Sequence, residues 1–355
     1  MKISNISIRR ENLELVRPYT IAYKTVSSVE NLFVQVHLEN GMIGWGATNP
    51  SKYVVGEDLE DTARVLTEEA LSPFIGRDIR EFYSLLKEMH THFAPHVGVR
   101  IALDIAFHDA FTQYLGVPLV KFLGQAHTQF ATSITIGIKS IEEALNEAEE
   151  YIGRGFQILK VKLGNDLGED LERLHKLRER WPNIGIRVDA NQGYGVEEVL
   201  KFYEKTRSLR LELVEQPLPA DQIEAIRALP EEVQKEIAAD ESLVSPQDAW
   251  QLATPTPACG IFNIKLMKCG GIFQGQQIAE IARHVGIHLM WGCNDESIVS
   301  ISAALHLALA SPQTRYIDLD GSLDLARDLV GGGFVLENGV MRVTDRPGLG
   351  LQALS

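Results

Sequence analysis

The stretches ILKVKL (158–163), IRVDA (186–190), LELVEQP (211–217), EIAADE (236–241) and IFNIKL (261–266) decide the fold. Each is a short run rich in Val, Ile or Leu that ends in polar or charged residues, and an amphipathic stretch separates it from the next. Such runs read as strands buried on both faces. The marked positions Lys162, Asp189, Glu215, Asp240 and Lys265 follow one another at intervals of 27, 26, 25 and 25 residues. That period holds one strand, one helix and two loops. SITIGI (133–138) precedes the set, while HLMWGC (288–293) and YIDLD (316–320) follow it, which makes eight runs. Eight strands at this interval predict a parallel α/β barrel, with its site at the C-terminal ends of the strands.

Before the barrel the pattern differs. Residues 2–10 alternate, residues 32–39 form a second apolar run, and Asn40-Gly41 marks a two-residue hairpin into residues 42–47. Helix-period segments follow at 59–71, 79–92 and 99–115, the last opening into a turn at Gly116-Val117-Pro118. Beyond Gly321 the barrel period breaks, and residues 334–342 centre on another hairpin signal, Asn338-Gly339. The expected architecture is α/β, a modified (β/α)7β TIM barrel over residues 127–322 under an α+β capping domain. That cap spans residues 1–126 and is completed by the tail 323–355, which packs back on it. The site is expected between cap and barrel, with residues 16–26 and 49–55 as loops over the mouth.

Composition narrows the function classes. At 355 residues the chain has room for about two domains of ~150 residues. It is 45% hydrophobic and 23% charged, the profile of an ordinary globular protein. Lys plus Arg number 34 against 48 Asp plus Glu, a net charge of −14, which repels phosphate and argues against nucleic acid or an anionic membrane as partner. The start carries no apolar stretch of the kind that heads secreted proteins, and residues 298–310 fall well short of the ~20 apolar residues a bilayer crossing needs. Cys259, Cys269 and Cys293 lack metal-site spacing and are odd in number, which fits a reducing, cytoplasmic setting.

Asp189, Glu215 and Asp240 stand at the ends of three successive strands, so their carboxylates should converge. Acids crowded in a cleft repel unless a cation sits among them, and hard oxygen ligands suit Mg2+. The bland alternative is that strand-end acids cap the following helices. Lys160 and Lys162 share one face of the second strand, and Lys265 on the sixth lies four strands round the ring. Ammonium groups beside such a cluster are expected to have lowered pKa values, as general bases need, and opposed bases imply proton transfer on both faces of one carbon. Structural salt bridges with the acids are the plain alternative.

The motifs ILKVKLG, VDANQGY, VEQPL, ADES and NIKLMKCGG, in this order, resemble the muconate lactonizing enzyme subgroup of the enolase superfamily. The stretch ALDIAFHDAFTQYLGVPLVKFLG (102–124) is similar to the same family's cap-to-barrel connection. The resemblance implies Mg2+ on Asp189, Glu215 and Asp240, acid/base lysines at Lys162 and Lys265, and an enediolate formed when the substrate loses its α-proton. Asp318-Leu319-Asp320 resembles the signature of dipeptide epimerases, where the pair holds the substrate's N-terminal ammonium. The same resemblance gives Lys160 a part in binding the C-terminal carboxylate, Glu296 a buttress role behind Lys265, and Asn191 a supporting place beside the metal ligands. It also implies a homo-oligomer.

Two positions bear on the dipeptide. Lys24 falls where Ala-Glu epimerases carry a cation for the acidic side chain, whereas Asp295 would repel one and favour a cationic or neutral dipeptide. A cationic or neutral dipeptide is the expected substrate. A helix cap or turn would also account for Asp318 and Asp320, and pairing with a basic neighbour would account for Asp295. The rival activities are an N-acylamino acid racemase, a muconate-type cycloisomerase or a succinylbenzoate-forming dehydratase. From other classes come a Schiff-base lyase and a non-catalytic ligand-binding barrel. His90, His92 and His96 lack the spacing of a shared helical face, and Gly331-Gly332-Gly333 lacks the helix of a phosphate cradle, so neither is given a site. Cys293 is expected to be a pocket wall.

Overall fold

The computed structural model describes residues 1–21 and 24–354, with the side chains of residues 18–26 outside that description. The eight expected runs form one parallel sheet in sequence order: Ile134–Ile136, Ile158–Lys162, Gly185–Asp189, Leu213–Glu215, Ile237–Ala239, Ile261–Ile264, His288–Trp291 and Thr314–Ile317. The sheet curls until its edges meet. Thr132 bridges Ile317 in parallel, and the Ser133 N–H donates to the Ile317 carbonyl at 3.3 Å. Helices join successive strands, among them Ile141–Gly153, Leu167–Arg180, Val196–Thr206, Ile272–Val285 and Ile298–Ala310. The helix starts carry the expected chemistry, for example the Ser140 and Glu143 capping box.

The barrel interior is filled in layers, because side chains alternate along each strand. Leu213, Ala238, Ile261, Met290 and Tyr316 form a small apolar cluster of their own. On Leu213–Glu215, and on the strands leading to Asp240, Lys265 and Asp318, the same faces carry charged groups two or four residues further on. The polar site therefore rests on an apolar floor.

The cap opens with a meander, Ile3–Ile21, Lys24–Leu38 and Ile43–Thr48, in antiparallel order. Its first ladder is longer than the sequence pattern suggested. Pairing continues to Tyr19 with Val26 and Ile21 with Lys24, so most of the expected mouth loop 16–26 is a two-stranded ribbon. Local ladder hydrogen bonds sustain it without apolar alternation, which is why periodicity missed it. The turn at Asn40-Gly41 is also wider than two residues. The strands stop at Leu38 and restart at Ile43, with Asn40 Oδ1 accepting from the Met42 N–H at 3.2 Å.

The helix Val97–Leu115 joins cap to barrel. Ile101 and Ile105 pack into the large core that runs through the barrel, while Val99, Leu103 and Phe107 belong to the cap core. Its buried residues, Asp104, His108 and Asp109 among them, spread round the helix, as expected of one packed on more than one side. It lies close on the cap sheet because Gly44 and Gly46 face it: a Cβ on Gly46 would stand 1.9 Å from the Ala102 carbonyl oxygen. The tail forms its expected hairpin, Phe334–Glu337 with Val340–Val343, around Asn338 and Gly339 at φ 51° and 75°. That hairpin pairs with Phe130–Ala131, and the tail then reaches the cap where the Leu349 N–H donates to Asp109 Oδ1 at 2.7 Å.

Candidate active site

The parallel register sets Lys162 beside Asp189 and Asp189 beside Glu215, one row across three strands. Asp240 follows Ile237–Ala239, Lys265 follows Ile261–Ile264, and Asp318 follows Thr314–Ile317, all at the C-terminal rim. The loops behind this row hold backbone conformations that side chains rarely adopt: Asn191, Gln192 and Gln216 have φ of 42°, 67° and 35°. Strain of this kind concentrates at functional sites. Gln216 shows what holds it. Its Oε1 accepts from the Asp240 N–H at 2.9 Å and from Ser242 Oγ at 2.7 Å, and its Nε2 donates to the Leu218 carbonyl at 2.9 Å.

Acids and lysines interleave. Lys162 Nζ lies 2.7 Å from Asp189 Oδ2 and donates to Asn191 Oδ1 at 2.9 Å. Lys265 Nζ lies 2.7 Å from Asp240 Oδ2. Between them Lys160, buried, sits 2.8 Å from Glu215 Oε2, 2.8 Å from Asp318 Oδ2 and 3.2 Å from Asp189 Oδ2. Each of the three expected metal ligands thus faces an ammonium, and among the described residues no group of three His, Cys, Asp or Glu side chains is gathered as a metal shell.

The electrostatics follow from burial and sign. Burial alone would lower the pKa values of Lys160 and Lys265, but the surrounding carboxylates outweigh it, against the lowering expected of Lys265. Lys160 is held above the usual range by Asp318, Glu215 and Asp189, and Lys265 by Asp240 and Glu215. Among the acids, burial is opposed by Lys162 and Lys160 at Asp189 and by Lys265 and Lys268 at Asp240, so both stay below the carboxylate range. Glu215 goes the other way, pushed up by burial and by Asp189.

At the eighth strand, Asp318 Oδ1 accepts from Ser133 Oγ at 2.6 Å while its other oxygen pairs with Lys160. Asp320 Oδ2 accepts from the Thr135 N–H at 2.8 Å, and burial next to Asp318 raises its pKa. Glu296 is buried with its pKa pushed up to about 7, chiefly by desolvation, and its Oε1 accepts from the Asn294 N–H at 2.8 Å. The partner of Lys265 within ion-pair distance is Asp240 rather than Glu296. The Asp295 carbonyl accepts from Asn49 Nδ2 at 2.8 Å, which brings the cap segment 49–55 to the mouth. The Lys24 side chain lies outside the described residues. Cys293 Sγ lies 3.2 Å from the Asp318 carbonyl oxygen and 3.8 Å from Asp320 Oδ1.

Sequence reasoning missed two charged members. Lys268, buried, donates to the Asp240 carbonyl at 2.6 Å and pairs with Asp240 Oδ1, so Asp240 is gripped by two lysines. Its spacing of three from Lys265 was the available signal, since one helical turn returns to the same face. Glu241 Oε1 accepts from Asn191 Nδ2 at 3.2 Å, and its carboxyl is pushed up by burial and then by Asp240. It adds a further acid directly after Asp240.

Known proteins are similar to this chain along its whole length and in fold. Residues 3–124 match the N-terminal domain of the mandelate racemase/muconate lactonizing enzyme family, and residues 143–354 match the enolase C-terminal domain-like family. The L-Lys-D/L-Arg epimerase of Desulforapulum autotrophicum is 52% identical over 100% of both chains, and that of Methylococcus capsulatus 50% identical over 99% of both. The crystal structure of a Methylococcus capsulatus dipeptide epimerase, complexed with Mg and the dipeptide L-Arg-D-Lys, superposes with a TM-score of 0.97 at 50% identity, covering 99% of each chain. With both halves matched and relatives half-identical from end to end, the chain belongs to the mandelate racemase/muconate lactonizing enzyme family of the enolase superfamily.

Proposed function

We propose that the chain is an isomerase, a Mg2+-dependent dipeptide epimerase that inverts the α-carbon of the C-terminal residue, with a preference for cationic dipeptides. The observation that carries this reading is the placement of Lys162 and Lys265. They stand at the ends of strands opposite in the ring, each 2.7 Å from a strand-end acid, Asp189 and Asp240. Two bases that approach one position from two sides suit removal of a proton from one face of a carbon and its return to the other.

The residues fit the metal. Asp189, Glu215 and Asp240 offer only hard oxygen donors, and Glu215 Oε2 is buried without a directed hydrogen bond despite its ion pair with Lys160. Those three side chains would hold it. When bound, Mg2+ supplies positive charge to the substrate carboxylate and to the acids, which eases loss of the α-proton and of a lysine proton alike.

The chain's own groups do the rest. Lys160 adds its ammonium to the pole where the substrate carboxylate binds, and Asn191 fixes the Lys162 Nζ through its side-chain oxygen. Asp318 is already shared between Lys160 and Ser133, so Asp320 is the acid freer to receive the dipeptide's N-terminal ammonium. Asp295 is assigned to the cationic side chain, in line with the L-Lys-D/L-Arg activity of the two half-identical relatives. We divide the chain into a cap, 1–126 with 323–355, and a barrel, 127–322. We place it in the cytoplasm as a homo-oligomer, which its three unpaired thiols and the family resemblance support.

Proton NMR in D2O with Mg2+ and L,L-dipeptides that are acidic, neutral or cationic at the second residue tests the reading. Loss of the C-terminal α-proton signal with growth of the L,D diastereomer, fastest for the cationic members, is the expected result. Exchange confined to N-acylamino acids would move the function to the racemase reading. Trapping of a lysine by borohydride, with insensitivity to chelator, would replace it with Schiff-base chemistry.

A further inference from the structure

Asp104 lies on the cap helix Val97–Leu115, buried and remote in sequence from every residue assigned above. Its Oδ1 accepts from the Ile272 N–H at 2.6 Å and the Phe273 N–H at 3.3 Å, so it caps the N-terminus of the barrel helix Ile272–Val285 from the other domain. Two cap histidines hold the carboxylate in turn, with His90 Nε2 at 2.8 Å from Oδ2 and His108 Nδ1 at 3.3 Å from Oδ1. The fit leaves no slack. Gly271 has φ 103°, and a Cβ there would stand 2.7 Å from Asp104 Cγ.

The segment ending at this joint begins with Lys265. One turn, Leu266–Cys269, links them, and the Gly270 and Gly271 N–H groups both donate to the Leu266 carbonyl at 3.3 Å. The cap grips the same segment a second time, through the Asn49 N–H to Met267 Sδ at 3.3 Å. Both ammonium groups pair with barrel acids, Lys265 with Asp240 and Lys162 with Asp189, but the two cap contacts, from Asn49 and Asp104, fall on the segment that carries Lys265.

We infer that Asp104 is a positioning residue for Lys265, setting from the cap the placement of the 265–271 segment and so of one of the two bases but not the other. The inference rests on the two-lysine reading above. Its signature is asymmetric. A substrate epimer whose α-hydrogen faces Lys162 can still lose that hydrogen and recover deuterium from the same rotating ammonium, whereas inversion needs Lys265.

The test measures deuterium uptake and inversion separately, from each epimer of a dipeptide, for wild type, Asp104→Asn, Asp104→Ala and Gly271→Ala. Lys162→Ala and Lys265→Ala assign each epimer to its lysine. We expect inversion to fall about tenfold or more in the Asp104 and Gly271 variants, with uptake without inversion preserved from the epimer that faces Lys162. Mg2+ binding and the circular dichroism spectrum serve as controls for folding, and Asp104→Asn keeps an oxygen acceptor if Asp104→Ala does not fold. Equal loss from both epimers, or no loss at all, would overturn the positioning role. Wild type that exchanges neither epimer would instead remove the epimerase reading itself.

Discussion

Lys265 and Asp240 share a 2.7 Å ion pair, and the other Asp240 oxygen is taken by Lys268, so a proposed base and a proposed metal ligand are bound to each other before any substrate arrives. Replacing either proposed base should therefore do more than delete a side chain. Lys162→Ala and Lys265→Ala are each expected to lower kcat for epimerisation by about 10²- to 10⁴-fold. Each should leave isotope exchange from one epimer alone, and the two variants should spare opposite epimers. NMR in D2O reads this directly, and a shared survivor would exclude the opposed arrangement.

Asp320 is expected to govern binding of the free amine. Its raised pKa, set by burial and by Asp318, means that its charge is lost as pH falls through that raised value, sooner than for an ordinary carboxylate. KM for a dipeptide should therefore rise on the acidic side while kcat changes less. Asp320→Asn should raise KM by about tenfold at neutral pH, roughly the 1.4 kcal/mol of one charged contact, and flatten that dependence. Parallel pH profiles for variant and wild type would count against the assignment.

Asp109 should make stability depend on pH. It is fully buried, and desolvation pushes its pKa up to about 6 despite hydrogen bonds from the Trp45 and Leu349 N–H groups and from Gln113. A carboxyl whose folded pKa exceeds its unfolded value near 3.8 binds more protons when folded. Its contribution is therefore present below pH 4 and lost as pH rises through 6, by on the order of 3 kcal/mol. Urea unfolding of wild type and Asp109→Asn between pH 4 and 7.5 should show the variant gaining on wild type as pH increases. A constant difference would mean that the group does not titrate in this window.

Asp295 should separate cationic from neutral substrates. Asp295→Asn is expected to reduce kcat/KM for Lys- and Arg-containing dipeptides about tenfold relative to Ala-Ala. A uniform decrease across the series would remove the Asp295 side chain from substrate selection, since the substitution leaves the backbone carbonyl that Asn49 binds in place.

The barrel was legible because burial between helices leaves strands as unbroken Val, Ile and Leu runs, and because a fixed repeat of about 26 residues survives in the numbering. The cap ribbon was not, since the ladder through Glu14 and Tyr19 depends on backbone pairing that writes no apolar period. At the site, acids and lysines on strands could be placed from spacing alone. Gln216 could not, because it acts through Asp240, a partner 24 residues away, and Lys268 carried only the signal of its spacing from Lys265. The upward direction of the Lys160 and Lys265 pKa shifts was also hidden. It depends on how many carboxylates surround each ammonium, and Asp318 joins Lys160 from across the closed ring.

The helix Val97–Leu115, whose faces enter both cores, also decides how specificity could be re-engineered. A cap grafted whole from a relative would arrive with a helix shaped for a different barrel, and every mismatched methyl at Ile101 or Ile105 would register in the large core. Transplanting only the stretches 16–26 and 49–55 leaves that shared beam untouched. Chimeras cut at those two stretches should therefore fold where whole-cap exchanges fail, which makes the two stretches expected over the mouth, and not the cap, the natural unit of exchange.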